Sequence, residues 1–120
     1  MNRNYEMLDF VSRFGGKIKV AFRLAKYTSN KRLFVGILAD EDGFLEPWTD
    51  LTVNMPDTEL SDENCVFIDT NNNGSDIVFW LMENGLGNPT ARWAYSGFCS
   101  YPEFRLDFDR LEQFVASDNR

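Results

Sequence analysis

The stretch from Cys65 to Gly87, CVFIDTNNNGSDIVFWLMENGLG, constrains the fold more than any other part of this chain. Its opening apolar run, Cys65 to Ile68, reads as a buried strand. In the loop that follows, Asn71, Asn72 and Asn73 are expected to offer side-chain oxygens to the free N–H groups of the coming helix, and Asp76 adds negative charge to its first turn. Ile77, Trp80, Leu81 and Asn84 fall at i, i+3, i+4 and i+7, so three large apolar side chains share one stripe. Gly85 and Gly87 end the helix, because the residue after a last turn usually enters the left-handed region, which glycine reaches without steric cost. An apolar stripe on a helix needs a sheet to cover. The expected class is therefore α+β: an antiparallel sheet of four to six strands, one main helix over about residues 75–84 packed on it, and short terminal helices.

The remaining segments fit that frame as one domain over residues 1–120, a length sufficient for one hydrophobic core. Met7, Leu8, Val11 and Phe14 stand at helical spacing and end before Gly15-Gly16, which predicts a helix over 4–14 as an N-terminal extension within residues 1–15. From Lys17 the period becomes two, with Ile18, Val20, Phe22 and Leu24 on one face and Lys17, Lys19, Ala21, Arg23 and Ala25 on the other. This is a half-buried strand with a basic outer face. A turn over Thr28 to Lys31 leads to a second strand, Leu33 to Ala39, and Asp42-Gly43 signals a hairpin. A third strand, Leu45 to Val53, carries Pro47, which confines it to an edge or a bulge. Asn54 to Asn64 is polar and turn-rich. Near the end Phe104, Leu106 and Phe108 alternate as a last strand, and Asp107 or Asp109 caps a closing helix through Leu111, Phe114 and Val115.

Charge is distributed unevenly. Residues 1–32 hold eight Lys or Arg and two acids; residues 33–120 hold four Arg and seventeen acids. Between Leu33 and Ala91 there are twelve Asp or Glu and no cation. Ordinary solvated surfaces intersperse the two signs. Two readings stand side by side: a soluble acidic body covered by a basic edge strand, or an acidic face shaped for a basic partner. No run approaches the roughly 20 apolar residues of a membrane span, and the acids Glu6 and Asp9 argue against a secretory signal, so the expected compartment is the cytoplasm and no membrane partner is expected. Cys65 and Cys99 are then expected as reduced structural thiols.

The chain offers little for catalysis. It has no His, the side chain best suited to proton transfer near neutral pH, and no phosphate loop, nucleotide fingerprint or nucleophile elbow. The expectation is a protein that is not an enzyme, with no catalytic residues, no cofactor and no metal. One metal motif tests that. Asp69-Thr70-Asn71-Asn72-Asn73-Gly74 matches the opening of a calcium loop, but the position that should supply a bidentate Glu is Trp80, and Glu83 comes three residues too late. Without that ligand the capping loop is the better reading. Asp40-Glu41-Asp42-Gly43 with Glu46 likewise reads as a hairpin turn with exposed acids.

Several phrases in fixed order carry a further signal: LTVNMPD at Leu51–Asp57, FIDTNNN at Phe67–Asn73, ENGLG at Glu83–Gly87, SGFCSYP at Ser96–Pro102 and the closing FDRL from Phe108. Over about residues 17–115 the chain resembles a domain-of-unknown-function family of small acidic proteins carried on plasmids, phages and conjugative elements of Firmicutes and their relatives. Members have little before the first strand, so the helix over 4–14 departs from the pattern. The resemblance transfers no catalytic residue. It implies a mobile-element accessory protein, and such proteins are often inhibitors of host defence, of the anti-CRISPR or anti-restriction kind.

The expected mechanism is a protein–protein one, in which acids from Asp40 to Glu63 occupy a basic, nucleic-acid-binding surface of a host defence nuclease or another such protein. The carboxylates on adjacent hairpins approach the charge density of DNA, about one charge per 1.7 Å of axis. The expected contact residues are Asp40, Glu41, Asp42, Glu46, Asp50, Asp57, Glu59, Asp62 and Glu63. Trp48 anchors their centre, or else packs in the core. Two alternatives stand: nucleic-acid binding through Lys17, Lys19, Arg23 and Lys26 beside Tyr27 and Phe34, which the acidic body opposes, and an unassigned interaction module.

Overall fold

The computed structural model describes residues 5–11 and 15–116. The period-two segments become two antiparallel four-stranded sheets. The first contains β1 (Leu8–Val11), β2 (Lys17–Lys26), β3 (Leu33–Glu41) and β4 (Phe44–Asp50), adjacent in that order. The second contains β5 (Thr52–Val53), β6 (Cys65–Ile68), β7 (Gly87–Ser96) and β8 (Cys99–Leu106), in the order β5-β6-β8-β7. Helices α1 (Thr70–Asn73), α2 (Asp76–Glu83) and α3 (Phe108–Leu111) and a 3-10 turn at Glu112–Phe114 complete the fold.

The α+β class with one main helix holds, and the strands divide between two sheets because one expected strand is cut in two. Leu51 stands between β4 and β5 and is fully buried. Its N–H stays on the first sheet, donating to the Val35 carbonyl at 2.9 Å, while its own carbonyl accepts from Asp69 N–H beside the second, at 2.8 Å. The stretch Leu45 to Val53 thus crosses from sheet to sheet. The cluster of Phe22, Ile37, Leu51, Val66, Ile68, Ile77, Leu81, Phe104 and their neighbours fills the space between the sheets and α2. Each large side chain fully buried there contributes about 1.5–3 kcal/mol relative to an exposed one.

Four local expectations are corrected. The helix placed over 4–14 is, where described, the strand β1; residues 4 and 12–14 lie outside the described residues. β2 presents a free edge to pair with, in the register Leu8↔Val20 and Phe10↔Ile18. Leu8 and Phe10 then both turn toward the core. Consequently the basic strand β2 is interior to its sheet rather than an edge. Third, the Asn residues do not cap α2; they form α1, whose own cap is Asp69, with Oδ1 accepting from Asn72 N–H at 3.1 Å. Phe108 leaves the last strand for α3, which Asp107 caps by accepting from Arg110 N–H at 3.2 Å.

The end of α2 follows the expected chemistry. Leu86 N–H donates to Leu81 O and Gly85 N–H to Met82 O, both at 3.0 Å, and Gly85 has a φ of 73°. This is the Schellman arrangement. Gly87 is required for a different reason: a Cβ there would lie 2.0 Å from the Arg105 carbonyl oxygen.

Candidate functional site

Eight of the ten expected contact residues fall into two groups at opposite ends of β3, and the other two, Trp48 and Asp50, stand on β4 between them. Asp40, Glu41, Asp42 and Glu46 surround the β3–β4 hairpin tip. There Asp42 and Gly43 have φ of 54° and 90°, the primed geometry that Asp-Gly favours, and Asp40 Oδ1 accepts from Gly43 N–H at 3.2 Å. Asp57, Glu59, Asp62 and Glu63 belong to the loop after β5. That loop is tied to the β2–β3 turn, where Asn30 donates to Asn54 and Arg32 Nη1 donates to the Met55 carbonyl at 2.8 Å. The nine residues of β3 separate the two groups by roughly 25 Å at the usual rise per residue. Asp62 is also engaged internally: Asn64 N–H and Arg105, at 2.9 Å each, hold its carboxyl below the usual range.

The hairpin is the more open of the two groups. β4 is an edge strand, and Glu46, Pro47, Trp48 and Asp50 are exposed. Because Leu38 pairs with Pro47 and Ile37 with Thr49, Trp48 is the extra residue of a bulge, and it is 45% exposed rather than packed in the core. Phe44, which the sequence reading assigned to no site, is 73% exposed and pairs with Glu41 beside the tip. Its signal was an aromatic directly after a turn-forming Asp-Gly. The ion pairs among the described residues are Lys19–Asp9, Arg92–Glu103 and Arg105–Asp62, so none of the hairpin acids is neutralised by a neighbouring cation.

The basic stripe is less available than its composition implies. Lys19 is paired with Asp9 at 2.7 Å, and Arg23 lies over the Phe34 ring at 5.1 Å. Tyr27 stands edge-on to Phe34, and its hydroxyl is hydrogen-bonded to Thr52 at 2.9 Å. Burial pushes the Tyr27 phenol up. Both aromatics that would stack on a nucleic acid already have partners inside the fold.

Glu103 escaped the sequence reading because alternation with Phe104 and Leu106 placed it on a solvated face. It is fully buried. Its carboxylate accepts from Ser61 N–H at 2.7 Å, Ser61 Oγ at 2.6 Å, Thr90 Oγ1 at 2.5 Å and Arg92 Nη1 at 3.0 Å. Burial alone would raise its pKa; the bonds from Ser61 and Thr90 and the Arg92 charge outweigh that and lower it. This cluster fastens the acidic loop to the second sheet, an anchoring role. Cys65 and Cys99 are free thiols, and burial pushes the Cys65 thiol up to about 11, which leaves it protonated and unreactive at neutral pH. Among the described residues no three His, Cys, Asp or Glu side chains converge as metal ligands, and no helix is long and apolar enough to cross a membrane.

A cleft of about 740 Å³ opens between β1 and α2. Its walls meet where Trp80 Nε1 donates to the Asp9 carbonyl at 2.8 Å.

Fold and surface together define a small acidic α+β protein of two packed antiparallel sheets, with four acids that form no ion pair among the described residues displayed around an edge hairpin. Residues 21–119 match the family model described as a domain of unknown function, DUF4313, and the chain belongs to that family. No curated protein and no solved structure matches it.

Proposed function

We propose that this protein is a non-enzymatic binding protein that uses the β3–β4 hairpin to occupy a basic, nucleic-acid-binding surface of a partner. The observation that carries this reading is the hairpin itself. Asp40, Glu41, Asp42 and Glu46 have no cationic partner among the described residues, and they surround the exposed rings of Phe44 and Trp48 on an edge strand. Unpaired acids supply long-range attraction to a cationic surface, and an aromatic among them supplies the desolvated contact that slows dissociation. Pro47 and the bulge at Trp48 make β4 a poor template for strand addition, so the side chains rather than the backbone edge would carry recognition. The partner class we favour is a host defence nuclease, with this chain acting as an anti-CRISPR or anti-restriction protein of a mobile element; that step rests on the family resemblance.

The test is charge reversal on the tip. Glu41→Lys and Glu46→Lys combined with Asp42→Asn, which keeps a residue tolerant of positive φ, should leave the fold intact and abolish protection of an incoming plasmid from the host nuclease. Reversing Asp57, Glu59 and Glu63 at the far end of β3 should change protection little. Undiminished protection by the tip variant would show that the partner is engaged elsewhere. Tight binding of the wild type to plain duplex DNA at physiological salt would favour a direct nucleic-acid role instead.

A further inference from the structure

We propose that the cleft between β1 and α2 is a second binding site, which takes an arginine-bearing segment of a partner protein. Its volume, about 740 Å³, is that of a ligand site rather than a packing defect, and accommodates one long side chain with its neighbours. One wall is Phe10 and Val11 of β1; the other is Phe79 and Trp80 of α2. Val11 and Phe79 are exposed, so the mouth is apolar on those two sides and polar where Ser75, Asp76 and Glu83 line it. Asp76 and Glu83 stand along the helix wall, and neither takes part in an ion pair among the described residues. Asp9 also lines the cleft but is already paired with Lys19. The described lining residues include no Lys or Arg.

Aromatic walls lined also by carboxylates select a cation that is both stacked and hydrogen-bonded. A guanidinium meets both demands, since it is weakly hydrated, lies flat on rings and presents a fork of donors to carboxylates. Phosphates would be repelled by Asp76 and Glu83, which makes nucleic acid and anionic lipid poor occupants. The site is also pre-formed. Trp80 is held by its bond to Asp9, meets Phe10 at 5.0 Å and 89°, and meets Phe22 at 6.1 Å. An occupant would therefore not have to order these walls. β1 and β4 are opposite edges of one four-stranded sheet, about 14 Å apart, so the Phe10 and Val11 wall lies across the sheet from the hairpin tip; at its other end the cleft reaches Asn73, which donates to the Asp50 carbonyl of β4 at 2.9 Å.

The experiment is a titration of the isotope-labelled full chain, followed by amide and indole NMR, with the blocked pentapeptide Gly-Leu-Arg-Leu-Gly. Its controls are the same peptide with Lys, and with the neutral arginine isostere citrulline. The arginine peptide should shift the Trp80 indole N–H and the Phe79 amide at about 1 mM or below and leave the Trp48 indole unmoved. The citrulline peptide should bind about tenfold more weakly and the lysine peptide in between. Asp76→Asn with Glu83→Gln should preserve the spectrum and weaken the arginine peptide by about tenfold; if that pair disturbs the fold, Glu83→Gln alone and the citrulline control carry the same test. Equal shifts from the arginine and citrulline peptides, or none at Trp80, would overturn the proposal. So would undiminished binding by the folded carboxylate variants. Loss of plasmid protection in the hairpin variant has no bearing on these outcomes, so the two proposals fail separately.

Discussion

Replacing Glu103 by Ala tests whether the buried carboxylate holds the acidic loop to the second sheet. The carboxylate accepts four hydrogen bonds at 2.5–3.0 Å, from Ser61 twice, Thr90 and Arg92. A hydrogen bond to a charged group is worth about 1.5–3 kcal/mol net, but the four do not simply add. Ser61 is exposed and the Arg92 side chain is 44% exposed, so their freed donors find water. The variant is also spared the cost of keeping a charge dry. What remains is close to the lower end of the cost of breaking a buried pair, about 3 kcal/mol. For a chain of this length that is a fall in melting temperature of about 12 °C. Glu103→Gln keeps the shape but turns an amide NH₂ toward donors, and should lose about 2 kcal/mol. The pH dependence has a definite sign. A carboxyl whose folded pKa is depressed stabilises the fold above its unfolded value, about 4.3, and that contribution is lost as pH falls through the folded value. Urea denaturation should therefore show a gap between wild type and Glu103→Gln that is full at pH 7 and narrows below about pH 4. An alanine variant that melts within about 2 °C of wild type, or a glutamine gap independent of pH, would refute the reasoning.

Gly87→Ala should be severely destabilising, by about 3 kcal/mol or more, because the added Cβ would meet the Arg105 carbonyl at 2.0 Å in a φ of 144°; circular dichroism melting checks it. Trp80→Ala should cost about 3 kcal/mol through lost contacts with Phe10 and Phe22 and the lost bond to Asp9, whereas Trp80→Phe, which keeps a ring, should cost less in the same assay. Asp107→Ala removes the cap of α3 and should cost about 1 kcal/mol by urea titration. Added reductant should leave the wild-type melting temperature unchanged, since both thiols are free; a fall of several degrees would show a disulfide.

What the sequence determined by itself is local. The stripe of Ile77 and Leu81, the glycine stop after α2, the Asp42-Gly43 hairpin, the alternation in β2 and the edge strand with a bulge next to Pro47 each depend on side-chain spacing or on backbone restrictions of single residues, and such preferences act within a few residues. The class of the fold follows from their sum. Tertiary structure decided what depends on partners distant in sequence. Leu8 and Phe10 fit a helical period or a strand period, and the free edge of β2 chose the strand. Leu51 reads as the middle of a strand, yet its N–H bonds to the first sheet and its carbonyl to Asp69, just past the end of β6 in the second. Glu103 reads as solvated until Ser61, Thr90 and Arg92 close over it. For the surface the same division holds. The excess of acids was legible as composition, but charge counted along a chain carries no distances. Only the packing of the 54–64 loop against the β2–β3 turn placed Asp57, Glu59, Asp62 and Glu63 at the far end of β3 from the hairpin that carries Phe44.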